Sequence, residues 1–217
     1  MKKIIALLLS ACLAFGTLAG CGGKEVSADT FVLAIYKLVI NRDSQPAKDA
    51  GIAESEIKSF EDQLKKSVED GINTINESYQ KTYNTTVDKD LVSTYYDAYL
   101  KALTKLSATA TVESTKDNEA TVKLTSTYLD MTSLTTKAME TATAKVKASE
   151  YSEDKDYTKE VLTEYIKALT EEMNNFSPSK ETQSTTVTVK KNRGSWTYSD
   201  STTFATAITS LAIKNGN

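Results

Sequence analysis

The spacing of apolar residues changes along this chain, and these changes constrain its fold more than any other feature. In three segments between Phe31 and Leu103, apolar side chains recur every three or four residues, which is typical of amphipathic helices. Between Leu106 and Leu124 they recur every second residue, which is typical of strands with one buried face. The two-residue period returns at Val187. We therefore predict an α+β fold, in which several helices pack on one face of an antiparallel sheet of about four strands.

Three helices are predicted before the first strand. The first is capped by Asp29 and ends near Asn41, the second and longest contains Gly71, which can mark a bend, and the third opens at Asp88–Asp90. Their apolar faces consist of Phe31, Ile35, Leu38 and Val39, then Ile57, Phe60, Leu64, Val68, Ile72, Ile75 and Tyr79, then Leu91, Tyr95, Tyr99 and Leu103.

Two β-hairpins are predicted, with helices around Thr132–Lys147 and Asp156–Asn174 between them. The first hairpin turns at Lys116–Asn118 and the second at Asn192–Gly194. Their inward-facing residues are predicted to be Ala108, Ala110, Val112, Ala120, Val122, Leu124, Val187, Val189, Trp196 and Tyr198. A helix that begins at Asp200 or Ser201 closes the chain.

The second half of the chain resembles the first. Asp88–Asp90 matches Asp154–Asp156, and Tyr99–Thr104 is similar to Tyr165–Thr170. Each copy then runs helix, hairpin, helix, over 88–147 and 154–213. A duplicated unit and chance similarity between two amphipathic helices both explain the match. In either case we predict a single domain over 29–217, because no linker composition interrupts it.

The first residues have the layout of a secretory signal peptide. Met1–Lys3 is positively charged and Ile4–Phe15 is apolar. The apolar run stops at Gly16, so it is shorter than the roughly 20 residues that a membrane-spanning helix needs. A cleaved export signal is therefore favoured over a permanent transmembrane helix.

The signal region ends in the tetrapeptide Leu18–Cys21, which resembles the lipobox of bacterial lipoproteins. The resemblance implies that residues 1–20 are removed and that Cys21 becomes the lipidated first residue of the mature protein, on the extracytoplasmic face of the cell membrane. Residues 21–28 would then form the lipidated cysteine and a short tether. Two alternatives are that Leu9–Cys12 serves as the lipobox and that Cys21 is an ordinary thiol.

A wider resemblance rests on the lipobox, the early helix at Phe31–Asp43, the stretch Ala50–Glu56 and the late strand that contains Trp196. Together these are similar to a family of Gram-positive lipoproteins that carry a domain of unknown function, type 5105. Members of that family resemble the cone-shaped fold of nuclear transport factor two, which implies a pocket between helices and a curved sheet. The repeated helix-hairpin pattern departs from a single cone, so a simple sandwich of sheet and helices is the alternative.

Charge and composition exclude several functions. The chain has a net charge of −3, and loss of Lys2 and Lys3 with the signal peptide leaves 24 basic against 29 acidic residues, a net charge of −5. A mildly acidic surface does not attract anionic lipid or nucleic acid, and no basic run with interleaved aromatic residues appears, so nucleic-acid binding is not predicted. The sequence contains no histidine, which excludes histidine-based triads and zinc sites of the Cys/His type. No glycine-rich phosphate loop is present, and no cofactor is predicted.

Two features that carry chemistry have a functional and a structural interpretation. The pairs Asp88/Asp90 and Asp154/Asp156 lack the glycine and glutamate of a calcium loop, so we interpret them as acids at helix starts and predict no metal. The aromatic residues on the third helix and the last strand can line a pocket or belong to the core. They are Tyr95, Tyr96, Tyr99, Trp196 and Tyr198.

We therefore expect a lipid-anchored protein of the cell envelope that is not an enzyme and acts as a binding or interaction module. Its partners are the membrane, through Cys21, and an envelope ligand or protein that the sequence does not identify. One alternative is a hydrolase of cell-wall polysaccharide that uses two carboxylates, and another is a purely structural envelope protein.

The anchoring hypothesis predicts the effect of two cysteine substitutions. Cys21→Ala abolishes metabolic labelling with palmitate, because the acceptor sulfur of the lipid is lost, whereas Cys12→Ala leaves a labelled mature protein. Labelling followed by gel electrophoresis measures both. Loss of label in the Cys12 variant and its retention in the Cys21 variant would contradict the assignment.

Overall fold

The computed structural model describes residues 26–148, 156–192, 194–198 and 200–215. Cys12, Cys21 and the predicted signal peptide lie outside these residues, so the anchoring hypothesis stays a prediction. None of the described helices is both long and apolar enough to cross a membrane.

The chain divides into two compact units. The sheet unit comprises Met1–Ser67, Thr104–Leu129 and Pro178–Ile213, and the helical unit comprises Val68–Leu103, Asp130–Ser177 and Lys214–Asn217. One long helix has its first part in the sheet unit and its second part in the helical unit.

The described residues form seven helices and six strands. The helices are α1 (Ala28–Tyr36, continued by a π-helix at Lys37–Asn41), α2 (Gln45–Asp49), α3 (Glu54–Tyr83), α4 (Lys89–Thr104), α5 (Met131–Ala148), α6 (Asp156–Asn175) and α7 (Ser201–Ala212). The strands are β1 (Ala108–Lys116), β2 (Glu119–Ser126), β3 (Leu129–Asp130), β4 (Gln183–Asn192), β5 (Ser195–Tyr198) and β6 (Ile213–Lys214).

A four-stranded antiparallel sheet in the order β1-β2-β4-β5 forms the sheet unit, as the sequence predicts. Val122 pairs with Val187 and Ala120 pairs with Val189, so these side chains point to the same face. Leu124 also lies on this face, and none of the five side chains is more than 6% exposed. The prediction of one core shared by both hairpins is therefore confirmed.

Helices α1 and α7 cover the apolar face of the sheet, with α1 on β1 and β2 and α7 on β4 and β2. The phenol of Tyr36, at the end of α1, hydrogen-bonds to the hydroxyl of Ser126 at 2.5 Å. Burial of this phenol raises the pKa of Tyr36 to about 12. The Ser126 hydroxyl also donates to the carbonyl of Thr127 at 2.6 Å, so the polar groups under α1 are satisfied.

The start of α1 differs from the prediction. Ser27, with an extended backbone, is the residue before the helix, and Asp29 lies within the first turn. The Ser27 carbonyl accepts from the amide of Phe31, and its hydroxyl contacts that of Thr30 at 2.8 Å. The prediction that Asp29 caps α1 is therefore wrong, because the cap is Ser27, two residues earlier. Ala28, 3% exposed, already belongs to the core, which explains why the helix starts earlier.

The predicted buried face of β1 is only partly correct. Val112 is 36% exposed, whereas its partner Val122 on β2 is fully buried. Strand β1 lies at the edge of the sheet, and its pairing is irregular between Val112 and Ser114. An edge strand has a neighbouring strand on one side only, and the irregular pairing begins directly after Val112, so this last apolar residue is left at the surface.

Gly51 is required by the turn between α2 and α3. Its φ of 83° lies in the left-handed region that favours glycine. The amide of Gly51 donates to the carbonyl of Lys48, and the amide of Ile52 donates to that of Ala47, which is the bonding pattern of a Schellman cap. The stretch Ala50–Glu56 thus ends one helix and begins the next.

In the helical unit, α5 and α6 pack against each other. Between them, the carboxylate of Glu164 lies 2.7 Å from the Lys167 amine and 3.5 Å from that of Lys145. The hydrogen bond from Lys167 is the main reason why the pKa of Glu164 is lowered. Gly71 lies inside the continuous helix α3.

The order helix, hairpin, helix occurs twice, as predicted: α4, β1–β2, α5 and then α6, β4–β5, α7. The two final helices of these copies differ in their surroundings, because α5 belongs to the helical unit and α7 to the sheet unit. A true duplication stays a prediction.

The sheet predicts a strong difference between two adjacent residues of β2. Leu124 is fully buried, so Leu124→Ala lowers the free energy of unfolding by about 2 to 5 kcal/mol. Thr125 points to the opposite face, where its hydroxyl contacts that of Ser184, so Thr125→Ala costs little. Urea denaturation measures both. Equal and small losses would contradict the register of the sheet.

Candidate functional site

The start of α4 is fixed by two polar side chains. The carboxylate of Asp88 accepts a hydrogen bond from the amide of Asp90 at 2.7 Å, and the Asp88 carbonyl accepts from the amide of Val92. One residue before Asp88, the amide of Val87 donates to the side-chain oxygen of Asn76 on α3 at 3.0 Å. These bonds tie the start of α4 to α3 and set which side chains of α4 point inward.

Three tyrosines on α4 are buried. Tyr95, Tyr96 and Tyr99 are 3%, 2% and 2% exposed. The ring centroid of Tyr95 lies 5.6 Å from that of Tyr96 and 6.3 Å from that of Tyr99. These distances fall within the range of favourable aromatic pairs, so packing holds the three rings as a group.

Tyr79 of α3 and Tyr165 of α6 join this group, and the five residues are called the tyrosine cluster below. Burial, and then the neighbouring phenols Tyr165, Tyr83 and Tyr96, raise the pKa of Tyr79 to about 12. Burial raises the pKa of Tyr96 to about 12 and also raises that of Tyr165.

The two innermost phenols of the cluster are shifted in the same direction. Burial, and then the nearby phenols beginning with Tyr99, raise the pKa of Tyr95 well above its usual range. Burial and then Tyr96 raise the pKa of Tyr99. All five phenols therefore stay neutral at physiological pH and act as hydrogen-bond donors.

The hydroxyls of Tyr95 and Tyr99 have no hydrogen-bond partner within the part of the chain that the structure describes. Leaving a buried donor unsatisfied costs about 1–3 kcal/mol per group. A phenylalanine would fill the same space without this cost. Two such hydroxyls in one packed cluster are therefore a candidate site for a hydrogen-bonding ligand.

The sequence predicted Tyr95, Tyr96 and Tyr99 as candidates but not the other two members. Tyr79 was assigned only to the apolar face of its helix, and Tyr165 only to the repeat, where it matches Tyr99. Three helices bring the five residues together, and no local spacing shows that contact.

The aromatic candidates on the last strand belong to the sheet unit and have structural contacts. Trp196 is 9% exposed, and its indole N–H donates to the carbonyl of Val26 at 2.9 Å. The ring of Tyr198 stacks on that of Phe204 at 4.9 Å between centroids, with 18° between the ring planes. Trp196 is therefore buried, as an inward-facing residue of the final hairpin, whereas packing of its ring against the helices stays a prediction.

The structure describes the side chains of two of the four acidic candidates, Asp88 and Asp90. Asp88 bonds the start of α4, as the structural interpretation predicts, whereas Asp154 and the side chain of Asp156 lie outside the description. Among the described residues, no group of three acidic or cysteine side chains could hold a metal ion. The lowered pKa values of Glu164 and Asp200 are shifted away from what a general acid requires.

An open groove of about 510 Å³ also lies in the helical unit, between the end of α3 and the start of α4. Three of its polar side chains already have partners: Asn76 accepts from the amide of Val87, and Asn73 accepts from the amine of Lys89 at 3.0 Å. The groove is therefore a less promising site than the tyrosine cluster.

The fold is similar to a solved structure. The crystal structure of YcdA from Bacillus subtilis subsp. subtilis str. 168, described as a putative lipoprotein, matches 86% of this chain with a TM-score of 0.56 and 19% sequence identity. The match covers 56% of that protein, so this chain spans little more than half of its length. At this identity the likeness concerns the fold. No curated protein matches the chain.

A family match covers most of the chain. Residues 43–212 match the family described as "Domain of unknown function (DUF5105)". This range begins after α1 and includes the whole sheet, the tyrosine cluster and α7. The resemblance to the cone of nuclear transport factor two stays a prediction, because neither match tests it. The chain belongs to the DUF5105 family, as predicted from the resemblance carried by Leu18–Cys21, the helix at Phe31–Asp43, the stretch Ala50–Glu56 and the strand with Trp196.

Proposed function

We propose that this protein is a lipid-anchored module of the cell envelope, attached through Cys21 to the outer face of the membrane, and that it binds a ligand without catalysing a reaction. The tetrapeptide Leu18–Cys21 and the similarity to a protein described as a lipoprotein support the anchor. The tyrosine cluster supports the binding role.

The observation that carries the binding role is that the buried hydroxyls of Tyr95 and Tyr99 have no hydrogen-bond partner among the described residues. Folded proteins satisfy most buried polar groups, and exceptions concentrate where a ligand or water completes the bonding. A ligand that accepts both hydrogen bonds removes the cost of leaving these groups unsatisfied. The free energy of binding is therefore more favourable by the cost that the two unsatisfied hydroxyls impose on the ligand-free protein.

The chemistry of the tyrosine cluster restricts the ligand. Its phenols remain neutral donors, because burial raises the pKa values of Tyr79 and Tyr96 to about 12. A charged ligand in this surrounding would lose hydration without gaining a counter-ion. The cluster fits a neutral ligand that combines acceptor oxygens with apolar surface, such as a sugar ring or a peptide amide.

A second candidate function is a structural role without a ligand. It is favoured by the exposed fractions of Tyr95, Tyr96 and Tyr99, all at or below 3%, because a closed core needs no occupant. The two functions differ in what the hydroxyls do, and substitution by phenylalanine separates them.

The double variant Tyr95→Phe/Tyr99→Phe tests the proposal. Without ligand, its melting temperature equals or exceeds that of the wild type, because two unsatisfied donors are removed, each costing about 1–3 kcal/mol. N-acetylglucosamine oligomers and muramyl dipeptide serve as probes in thermal-shift measurements. A probe that binds raises the melting temperature of the wild type, and the double variant loses this increase.

Tyr157→Phe is the matched control, because it removes the same hydroxyl at a residue that is 41% exposed. This variant keeps both the melting temperature and the response to the probe. A double variant that is less stable than the wild type, in a protein whose melting temperature no probe raises, would contradict binding and support the structural role.

A further inference from the structure

The first described residue of the chain is held at one end of the sheet. The carbonyl of Val26 accepts the hydrogen bond from the indole of Trp196, which belongs to β5 and is 9% exposed. The next residues continue directly into α1, whose first residue, Ala28, is buried. The folded part therefore begins beside Trp196.

The tips of both hairpins lie at this same end. Trp196 pairs with Lys191 near the tip of the β4–β5 hairpin, and the Lys191 amine lies 5.8 Å from the centroid of the indole ring. The amide of Lys191 donates to the carbonyl of Asn118 in the β1–β2 turn at 2.6 Å. Contacts thus run without a gap from Val26 to the β1–β2 turn. An open groove of about 580 Å³ lies between the two tips.

This end of the sheet carries a small local excess of lysines, whereas the whole chain has a net charge of −3. Lys116, Lys190 and Lys191 line the groove together with two acids, Asp117 and Glu119. Lys190 is paired with Glu119 at 3.4 Å, and both side chains are at least half exposed. The balance is three lysines to two acids, whereas the mature chain has an excess of acids. Arg193, outside the described residues, is the next basic residue in the sequence.

The number of residues between Cys21 and Val26 limits how far this end of the sheet can lie from the membrane. Only residues 22–25 separate Cys21 from Val26. Fully extended, this stretch spans about 18 Å between the two Cα atoms, so a lipid on Cys21 holds Val26 close to the bilayer surface. The hairpin tips, which contact Trp196, are held close to the surface with it.

We propose that the two hairpin tips form the membrane-facing end of the protein and that Lys116, Lys190 and Lys191 contact the anionic headgroups of the bilayer that holds the lipid. This inference rests on the proposed anchoring at Cys21. The attraction of a few lysines is weak for a free protein, but the anchor keeps them at high local concentration near the headgroups. The contact sets which surface of the sheet unit faces the membrane.

Trp196 is the only tryptophan and lies at the proposed contact, so it reports the distance to the bilayer. The lipid-anchored mature protein is reconstituted in vesicles of phosphatidylcholine and phosphatidylglycerol that contain lipids with dansyl headgroups. Energy transfer from Trp196 to dansyl is high in these vesicles. It decreases at high salt, which screens exposed charges, and in vesicles without phosphatidylglycerol.

The variant Lys116→Glu/Lys190→Glu tests the contact and leaves Lys191, which touches the donor ring, unchanged. Energy transfer falls by about twofold, because repulsion tilts this end away from the headgroups. The matched control is Lys65→Glu/Lys66→Glu on the exposed side of α3, which changes the net charge equally and leaves the transfer unchanged. If Lys116→Glu/Lys190→Glu has a lower melting temperature than the wild type, Lys116→Gln/Lys190→Gln replaces it. A smaller decrease in energy transfer is then expected.

Flotation of the same vesicles measures the anchor separately. Protein that does not float with the lipid contradicts anchoring at Cys21. The proposed membrane-facing end, which depends on this anchor, is then contradicted as well. Protein that floats but shows equal energy transfer in the test and control variants overturns the membrane-facing end alone.

Discussion

Burial of one face of the four-stranded sheet is the constraint on which the rest of the sheet unit depends. Val122, Leu124 and Val189 are fully buried on that face. The residues that alternate with them along the strands point to the other face and carry hydroxyl groups or charges. A shift of register by one residue would exchange the two faces. The register therefore follows from burial, and it obliges α1 and α7 to lie on the apolar side.

Two polar contacts fix where α1 lies on that face. The phenol of Tyr36 meets the hydroxyl of Ser126, and the carbonyl of Val26 meets the indole of Trp196. Apolar packing alone would allow a helix to slide along the sheet, whereas these two hydrogen bonds, one buried and one part-buried, hold it in one position because breaking them costs free energy. The second contact also determines where a tether from Cys21 must leave the fold, and so connects the core to the proposed orientation on the membrane.

Much of this fold follows from local patterns in the sequence. The alternation of Ala120, Val122 and Leu124 predicts the central strand, and Asp200 begins the last helix, where its carboxylate accepts from the amide of Thr203. Features that depend on distant residues were not predictable. The π-helix at Lys37–Asn41, which buries three consecutive apolar residues, leaves no mark in the spacing. The tyrosine cluster needs three helices from distant parts of the chain, so the sequence indicates only its three members on one helix, Tyr95, Tyr96 and Tyr99, and misses Tyr79 and Tyr165.

Hydrogen exchange at the indole of Trp196 tests most directly whether the start of the chain is fixed to the end of the sheet. Because the sequence contains a single tryptophan, its indole N–H gives one signal in a nitrogen-15 spectrum. The hydrogen bond to Val26 predicts exchange as slow as that of the backbone amides of Val122 and Val187 in the central strands. Exchange at the rate of a solvent-exposed indole would contradict the account.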